Sequence, residues 1–247
     1  MIYILNIIYL DYLLYGVYLS IGECIVNNKL LFFFSLIKII YINFKVLPFK
    51  YAIKLPIWIS YKTELISLKG RFIFNSNIRT GMIRIGFDGA GTAKFKATSI
   101  ENNGSIFLGE NISIGGGCQI CTVSENSELH IGSDVKITSE SHIISSKKVI
   151  IGNRTIISWD TQIMDTDFHN IYNKKSELLN ADASIVIGEH VWIASKVSIL
   201  KGSIIYDDII ISSGSIINGI LKESNAIYTG LPIRKIKENV YWGPRFF

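Results

Sequence analysis

The chain has little cysteine, proline and charge, and each shortage excludes a class of protein. Its 247 residues include 3 Cys and 4 Pro, and charged residues make up 18%. Three cysteines are too few for a disulfide framework, and they fit a reducing compartment. So little proline excludes collagen and proline-rich linkers. Hydrophobic residues make up 49%, so we expect a sizeable core in one large domain or two small ones.

The excess of positive charge is also small. The 25 Lys and Arg residues outnumber the 20 Asp and Glu residues, which gives a net charge of +5. That charge suits a phosphorylated ligand or an anionic membrane surface, but it is too weak to indicate nucleic acid. The sequence contains neither a Cys/His finger nor an aromatic RNA-binding motif, so we expect no nucleic acid among its partners.

Residues 1–46 are strongly apolar, and their first basic residue is Lys29. A secretory signal begins with positive charge, so we expect no cleaved signal here. The run over residues 2–20 approaches the length of a transmembrane helix, but Asn6 and Asp11 lie inside it. An ionised Asp near the centre of a bilayer costs roughly 3 kcal/mol, which disfavours a simple membrane span.

The apolar start of the chain has two interpretations. Residues 1–50 form a helical segment that packs on a neighbouring domain or subunit, or they make a peripheral contact with a membrane. The lysines that follow, among them Lys45, Lys50 and Lys54, suit an anionic membrane face and a solvated surface equally well. Residues 51–105 contain short, nearly alternating apolar runs, which predict an irregular β lead-in.

A six-residue repeat organises residues 106–220. A helix would repeat every 3.6 residues and a simple strand every 2, so a period of six predicts a short strand and a tight bend around a triangular prism. The aliphatic residue of each repeat fills the interior, and three repeats complete one turn, which gives roughly five turns. The longest unbroken run of these aliphatic residues is Ile187, Ile193, Ile199, Ile205, Ile211 and Ile217.

The same repeat accounts for a C-x-x-C motif at Cys118 and Cys121, which would otherwise indicate redox or metal chemistry. Cys118 occupies the small interior position of its repeat, and Cys121 directly follows the interior Ile120. No second C-x-x-C accompanies this one, so we expect both cysteines to be structural.

Three further segments, taken with the repeat, resemble the left-handed β-helix acyltransferases. VWIASKV at residues 191–197, SGSII at residues 213–217 and GLPIRKIK at residues 230–237 are similar to recurrent segments of the sugar O-acetyltransferase branch. That branch includes the maltose and galactoside acetyltransferases and acetyltransferases of polysaccharide biosynthesis. The resemblance implies a mainly β fold, a left-handed parallel β-helix closed by a short extension over residues 221–247. It also implies a homotrimer with the active site between neighbouring prisms.

The repeat is interrupted over residues 164–186, where an inserted loop carries His169. Insertions in a solenoid collect on one face and often form its site. The resemblance implies that His169 is the general base. A sugar hydroxyl needs such a base during attack, and an imidazole accepts a proton near neutral pH. Direct transfer needs no covalent acyl-enzyme, so we expect no Ser or Cys nucleophile.

Four residues near the break are candidates for binding the acceptor sugar: Asp165, Asp167, Asn170 and Trp159. Either aspartate orients His169 or bonds the sugar, but an aspartate in a loop also commonly caps nearby backbone amides. Trp159 suits stacking on a sugar and packing against a neighbour alike. His130 and His142 occupy outward positions and are expected to be solvated or to lie between subunits, and we leave His190 out of the catalytic set.

The resemblance implies acetyl-CoA as the acyl donor, in a groove beside the last turns. Trp192 would flank the pantetheine arm, and Arg234 and Lys237 would reach the nucleotide phosphates through charge-assisted bonds. A solvated basic end is the alternative for those two cations. This sequence has Ser213 where the family often has Ala and Asn218 where it often has Thr, which weakens both assignments. The candidate cofactor-binding residues are Trp192, Ser195, Ser213, Gly214, Asn218, Arg234 and Lys237.

These observations favour an O-acetyltransferase that acts on a sugar or glycan in bacterial surface polysaccharide (O-antigen or capsule) biosynthesis. The alternatives are N-acetylation of an amino sugar or small amine, and a non-catalytic β-solenoid binding module. One β-helix family, the gamma-type carbonic anhydrases, binds zinc through three histidines, but the histidine spacing here does not match, so no metal is expected. We expect a cytoplasmic location, and an association with the inner face of the membrane if the N-terminal segment contacts lipid.

Overall fold

The computed structural model describes residues 24–87 and 96–243, with side chains from residue 31 onward. Within these ranges two helices, α1 (Cys24–Val46) and α2 (Phe49–Ala52), precede a stack of seven coils, each made of three short strands. The strands of the first four coils are β1 (Ile57–Ile59), β2 (Glu64–Leu68), β3 (Arg71–Phe74), β4 (Ile83–Phe87), β5 (Ser99–Asn102), β6 (Ser105–Leu108), β7 (Ile112–Gly115), β8 (Gln119–Thr122), β9 (Glu128–Ile131), β10 (Lys136–Ile137), β11 (His142–Ser145) and β12 (Lys148–Ile151). The remaining strands are β13 (Ile156–Ile157), β14 (Gln162–Met164), β15 (Ile185–Ile187), β16 (Trp192–Ile193), β17 (Ser198–Leu200), β18 (Ile204–Ile205), β19 (Ile209–Ile211), β20 (Ile216–Ile217), β21 (Ile220–Leu221), β22 (Ala226–Thr229) and β23 (Arg234–Glu238).

Each coil contributes one strand to each of three parallel sheets, which form the faces of a prism. The first sheet runs from β1 to β22, the second from β2 to β20 and the third from β3 to β21. At the C-terminal end β23 pairs antiparallel with β22. The chain passes from the first to the second sheet at the first corner, from the second to the third at the second corner, and back at the third corner. Side chains at equal positions of successive coils therefore stack in columns about 4.8 Å apart.

The β-helix begins earlier than the repeat indicated. The predicted boundary at residue 106 falls inside the second coil, because β1 already pairs in parallel with β4, and Ile57 lies opposite Ile83. The sequence conceals this coil because Ile85 and Ile100 are consecutive interior residues of it but lie far more than six positions apart. From the third coil onward five coils follow, as predicted.

The aliphatic residues of the repeat fill the interior of the prism, and Ile187, Ile193 and Ile199 are all buried. Glycine often follows the aliphatic residue because successive coils approach closely there. A Cβ on Gly152 would lie 2.4 Å from the backbone carbonyl group of Gly188 in the next coil. Such a contact would force the coils apart, so glycine at this position has a steric reason.

Helix α1 closes the N-terminal end of the prism. The side chain of Asn43 donates to the carbonyl oxygen of Ile57 at 2.6 Å and accepts from its backbone nitrogen at 3.1 Å. The ammonium group of Lys38 donates to the carbonyl oxygens of Tyr61 and Thr63 at 2.6 and 2.8 Å. The helix thus provides partners for backbone groups at the open edge of the first coil.

The prediction that the start of the chain is helical is confirmed over residues 24–46. Residues 1–23, which belong to the same predicted segment, lie outside the described part of the chain. In residues 24–87 and 96–243, the structure has no helix with the length and hydropathy that crossing a membrane requires.

Candidate active site

The insertion leaves the prism at the second corner of the fifth coil, between β14 and β15. Most of its residues are exposed, and Tyr172 and Leu178 form an isolated antiparallel bridge within it. The ring of His169 lies on this exposed loop, next to Phe168, whose φ is 58°. The expected catalytic histidine is therefore accessible to a substrate, and its position depends on how the loop is held.

Asp165 holds the base of the loop. Its buried carboxylate accepts hydrogen bonds from the backbone nitrogens of Ser146, Lys147 and Lys148 at 2.6, 2.9 and 2.6 Å. These donors form the second corner of the preceding coil, so the carboxylate ties two coils together. Of the two interpretations of Asp165, the structure has the cap on backbone amides, because its buried carboxylate accepts bonds from three of them.

Asn180 and Lys201 hold the loop beside His169. The side-chain amide of Asn180 donates to the carbonyl oxygen of His169 and to Oδ2 of Asp167, both at 2.8 Å, and its oxygen accepts from the nitrogen of Ile171 at 2.6 Å. The ammonium group of Lys201, on the next coil, donates to the same Asp167 oxygen at 2.5 Å and to the carbonyl oxygen of Asn180 at 2.6 Å. We call Asp167, Asn180 and Lys201 the loop clamp.

The clamp also sets the charge of Asp167. The hydrogen bond from Lys201, followed by that from Asn180, holds the pKa of this exposed carboxyl below its ordinary value. The carboxylate therefore stays ionised near neutral pH and keeps both donors. Asn170 is also exposed, and its amide donates to the hydroxyl of Tyr172 at 2.9 Å.

The predicted cofactor-binding residues lie mainly on the first sheet and along the first corner. The indole of Trp192 lies on the outer surface of the first sheet and donates to the hydroxyl of Ser158 at 3.3 Å. The hydroxyls of Ser195 and Ser213 lie 2.7 Å apart, and the nitrogen of Gly214 donates to the carbonyl oxygen of Ser195 at 3.1 Å. Four predicted residues thus form one continuous surface over the sixth and seventh coils.

Two more predicted residues extend this surface, and two predictions fall elsewhere. Arg234 and Lys237 lie on the exposed strand β23, which adds to the C-terminal edge of the first sheet. Trp159, a candidate for stacking on a sugar or packing against a neighbour, lies exposed at the first corner of the fifth coil, where its carbonyl oxygen accepts from the nitrogen of Lys196 at 3.1 Å. Asn218, predicted with the cofactor group, lies at the second corner of the seventh coil.

Trp242 is a residue that the sequence analysis missed. Its ring stacks on His190 with the centroids 4.3 Å apart, and its nitrogen donates to the carbonyl oxygen of His190 at 2.8 Å. Its centroid lies 6.3 Å from that of Trp192, so the two indoles form one aromatic surface. His190 also pairs with Asp208 at 2.8 Å. The signal was the aromatic pair at residues 241–242, within the closing extension.

The two groups of candidate residues lie at opposite edges of the second sheet. The loop with His169 leaves from the second corner, whereas Ser195 and Ser213 line the first corner. Within one chain the breadth of the second sheet separates the histidine from the surface around Trp192.

No family model matches the chain. The chain is 30% identical over 206 residues to an uncharacterized 24.8 kDa protein from the cps region of Klebsiella pneumoniae, a match that spans 83% of this chain and 89% of that protein. It is 27% identical over 150 residues to WbbJ of Escherichia coli K12, assigned as a lipopolysaccharide biosynthesis O-acetyl transferase. That second match spans 56% of this chain and 74% of WbbJ.

A solved structure shares the fold. The crystal structure of the polysialic acid O-acetyltransferase OatWY matches 75% of this chain and 92% of its own, with a TM-score of 0.54 and 20% sequence identity. This likeness confirms the left-handed parallel β-helix that the sequence predicted.

Proposed function

Because the chain belongs to the hexapeptide-repeat acyltransferases, we propose that it transfers an acetyl group from acetyl-CoA to a sugar hydroxyl of a bacterial surface polysaccharide. The observation that carries the proposal is the clamped loop, which holds an accessible His169 by its backbone. The names of WbbJ and OatWY support a glycan as the acceptor. Cys118 and Cys121 are both free thiols, which is consistent with a protein of the reducing cytoplasm.

The proposed reaction is a direct transfer. A ring nitrogen of His169 accepts the proton of the sugar hydroxyl while the hydroxyl oxygen attacks the carbonyl carbon of the thioester. A carbon–oxygen bond forms, the carbon–sulfur bond then breaks, and the proton passes from the imidazolium to the leaving thiolate. On the first-sheet surface, Trp192 and Trp242 would line the pantetheine arm, and Arg234 and Lys237 would pair with the phosphates.

We also propose that the active unit is a homotrimer with sites between protomers. The separation of His169 from the Trp192 surface within one chain supports this arrangement. In a closed three-fold assembly the second corner of one prism can face the first corner of its neighbour. Each site would then combine His169 of one protomer with the cofactor surface of the next.

Calorimetry with acetyl-CoA tests the donor and the surface together. We expect the Arg234→Ala/Lys237→Ala variant to bind acetyl-CoA about tenfold more weakly than wild type, since it loses charge-assisted contacts. Lys69→Ala/Lys136→Ala is the matched control, because it removes two exposed lysines from the first and fourth coils. No binding by folded wild-type protein, or equal losses in both variants, would overturn the assignment.

Mixed trimers test the shared site. We expect His169→Ala alone to lower turnover about a hundredfold or more without changing the urea midpoint, since the residue lies in an exposed loop. In assays with acetyl-CoA well below its dissociation constant, the Arg234→Ala/Lys237→Ala parent should retain about a tenth of wild-type activity. Refolded together with His169→Ala chains, it should reach about a quarter, because one interface in four then combines two intact halves. A mixture no more active than that parent would place the whole site within one chain.

A further inference from the structure

The side of α1 that faces away from the prism is apolar and exposed. Its six large side chains recur at spacings of three and four, which places them on one side of a helix. Each is between 44% and 55% exposed. The opposite side of the helix carries the buried Ile39 and Ile42, so α1 is apolar on two sides, and within residues 24–87 and 96–243 one of them packs on the prism. The exposed residues are Phe33, Phe34, Ile37, Ile40, Tyr41 and Phe44.

This apolar face continues past the end of the helix. The ring of Phe44 contacts that of Phe49 in α2 edge to face, with centroids 5.9 Å apart. Phe49 is 72% exposed, and Ile53, one turn later, is also exposed. We call the six α1 residues together with Phe49 and Ile53 the outer face.

Positive charge borders the outer face, and negative charge is missing from it. The sequence contains no Asp or Glu between Cys24 and Thr63. Three exposed lysines lie there: Lys45 at the end of α1, Lys50 in α2 and Lys54 just after α2. An apolar surface fringed by lysines is the pattern by which helices lie in the headgroup region of anionic membranes.

We propose that the outer face lies on a membrane that contains anionic lipid. The aromatic and aliphatic side chains would enter the boundary between headgroups and acyl chains, and the three lysines would pair with lipid phosphates. A second copy of the chain is the less suitable occupant. A two-fold contact through this face would bring lysines of both copies together without a carboxylate from this segment to pair with them.

Vesicle flotation of the full chain tests the proposal. We expect wild-type protein to float with vesicles of equal parts phosphatidylcholine and phosphatidylglycerol, and more weakly with phosphatidylcholine alone. Phe34→Gln/Ile37→Gln/Phe44→Gln should reduce binding to both kinds of vesicle at least tenfold. Lys45→Gln/Lys50→Gln/Lys54→Gln should reduce binding to the anionic vesicles roughly a hundredfold and leave binding to phosphatidylcholine unchanged.

The controls separate lipid contact from other causes. Tyr206→Gln/Ile220→Gln removes two exposed apolar side chains from the last coils and should bind vesicles as wild type does. Urea midpoints should match for all variants, because every altered side chain is exposed. If the triple variant of the apolar residues and the triple variant of the lysines both float like wild type, the proposal is wrong. It is also wrong if wild type binds neither kind of vesicle and light scattering gives the apolar variant a smaller assembly mass than wild type. The outer face would then be a contact between copies of the chain.

Discussion

The side-chain amide of Asn180 donates a 2.8 Å hydrogen bond to the carbonyl oxygen of His169, eleven positions earlier in the loop. The bond joins the outgoing and returning arms of the insertion. Because it fixes the backbone of His169 rather than its ring, the imidazole stays free to meet a substrate. Asn180 is therefore a positioning residue for the proposed base.

Removal of this amide should impair turnover and leave donor binding intact. In Asn180→Ala we expect kcat to fall about tenfold, because His169 loses its fixed position, while KM for acetyl-CoA stays near the wild-type value. Asn173→Ala is the matched control, since Asn173 bonds Glu177 at the far end of the same loop. Steady-state kinetics check both variants, and an equal fall in kcat would contradict the positioning role.

Loss of Lys201 should make the loop more sensitive to acid. The folded-state pKa of Asp167 is lowered. At pH values above the ordinary carboxyl pKa, the ionised carboxylate therefore stabilises the clamp in full. That stabilisation is lost as the pH falls through the lowered pKa. In Lys201→Gln the pKa of Asp167 should rise toward its ordinary value. Carbon-13 NMR titration of the labelled carboxyl measures it. The Lys175→Gln variant, altered elsewhere on the loop, should leave that titration unchanged.

The buried carboxylate of Asp165 should contribute measurably to stability. Asp165→Asn keeps the shape but replaces an oxygen that accepts backbone hydrogen bonds with an amide that donates, so about 2 kcal/mol of unfolding free energy should be lost. Asp160→Asn, at the exposed first corner of the same coil, should change the unfolding free energy by less than about 0.5 kcal/mol. Urea denaturation compares the two, and similar losses would refute the role of Asp165.

The C-x-x-C motif should be chemically inert. Burial raises the pKa of both Cys118 and Cys121 to about 11, and the carboxylate of Glu101 adds to the effect at Cys121. In a Cys24→Ser background, alkylation at pH 8 should therefore be slow until the protein unfolds. Glu101→Gln should lower the pKa of Cys121 and speed its alkylation, with Cys118 unaffected. Rapid labelling of both native thiols would be inconsistent with this environment.

The interior of the prism was predictable because it depends on local sequence. Each repeat from Ile187 to Ile217 places one aliphatic side chain inside the prism, so the period alone identifies the interior. The first two coils were missed because the long step between Ile85 and Ile100 removes the period, although the strands still pair.

The site was predictable only in part, because it depends on stacking between coils. The insertion that carries His169 was predicted from the break in the repeat. Lys201 was not identified, since it meets Asp167 only after β17 stacks on β14. Asn180 was not identified either, since it meets Asp167 only when the two arms of the loop come together, and neither residue belongs to a local motif. Trp159 lies near His169 in sequence, yet the fold places it at the opposite edge of the second sheet. Its proposed contact with the acceptor sugar stays a prediction.

The bonds from Asn43 to Ile57 also determine how far the stack of strands extends. A bare end of a parallel β-stack is a template on which another copy can add, as the strands of a fibril do. Here α1 occupies that end, and at the other end the reversed strand β23 adds to the first of the three sheets. Both elements oppose the end-to-end addition of another copy, and loss of Asn43 should leave backbone groups of Ile57 without their side-chain partners.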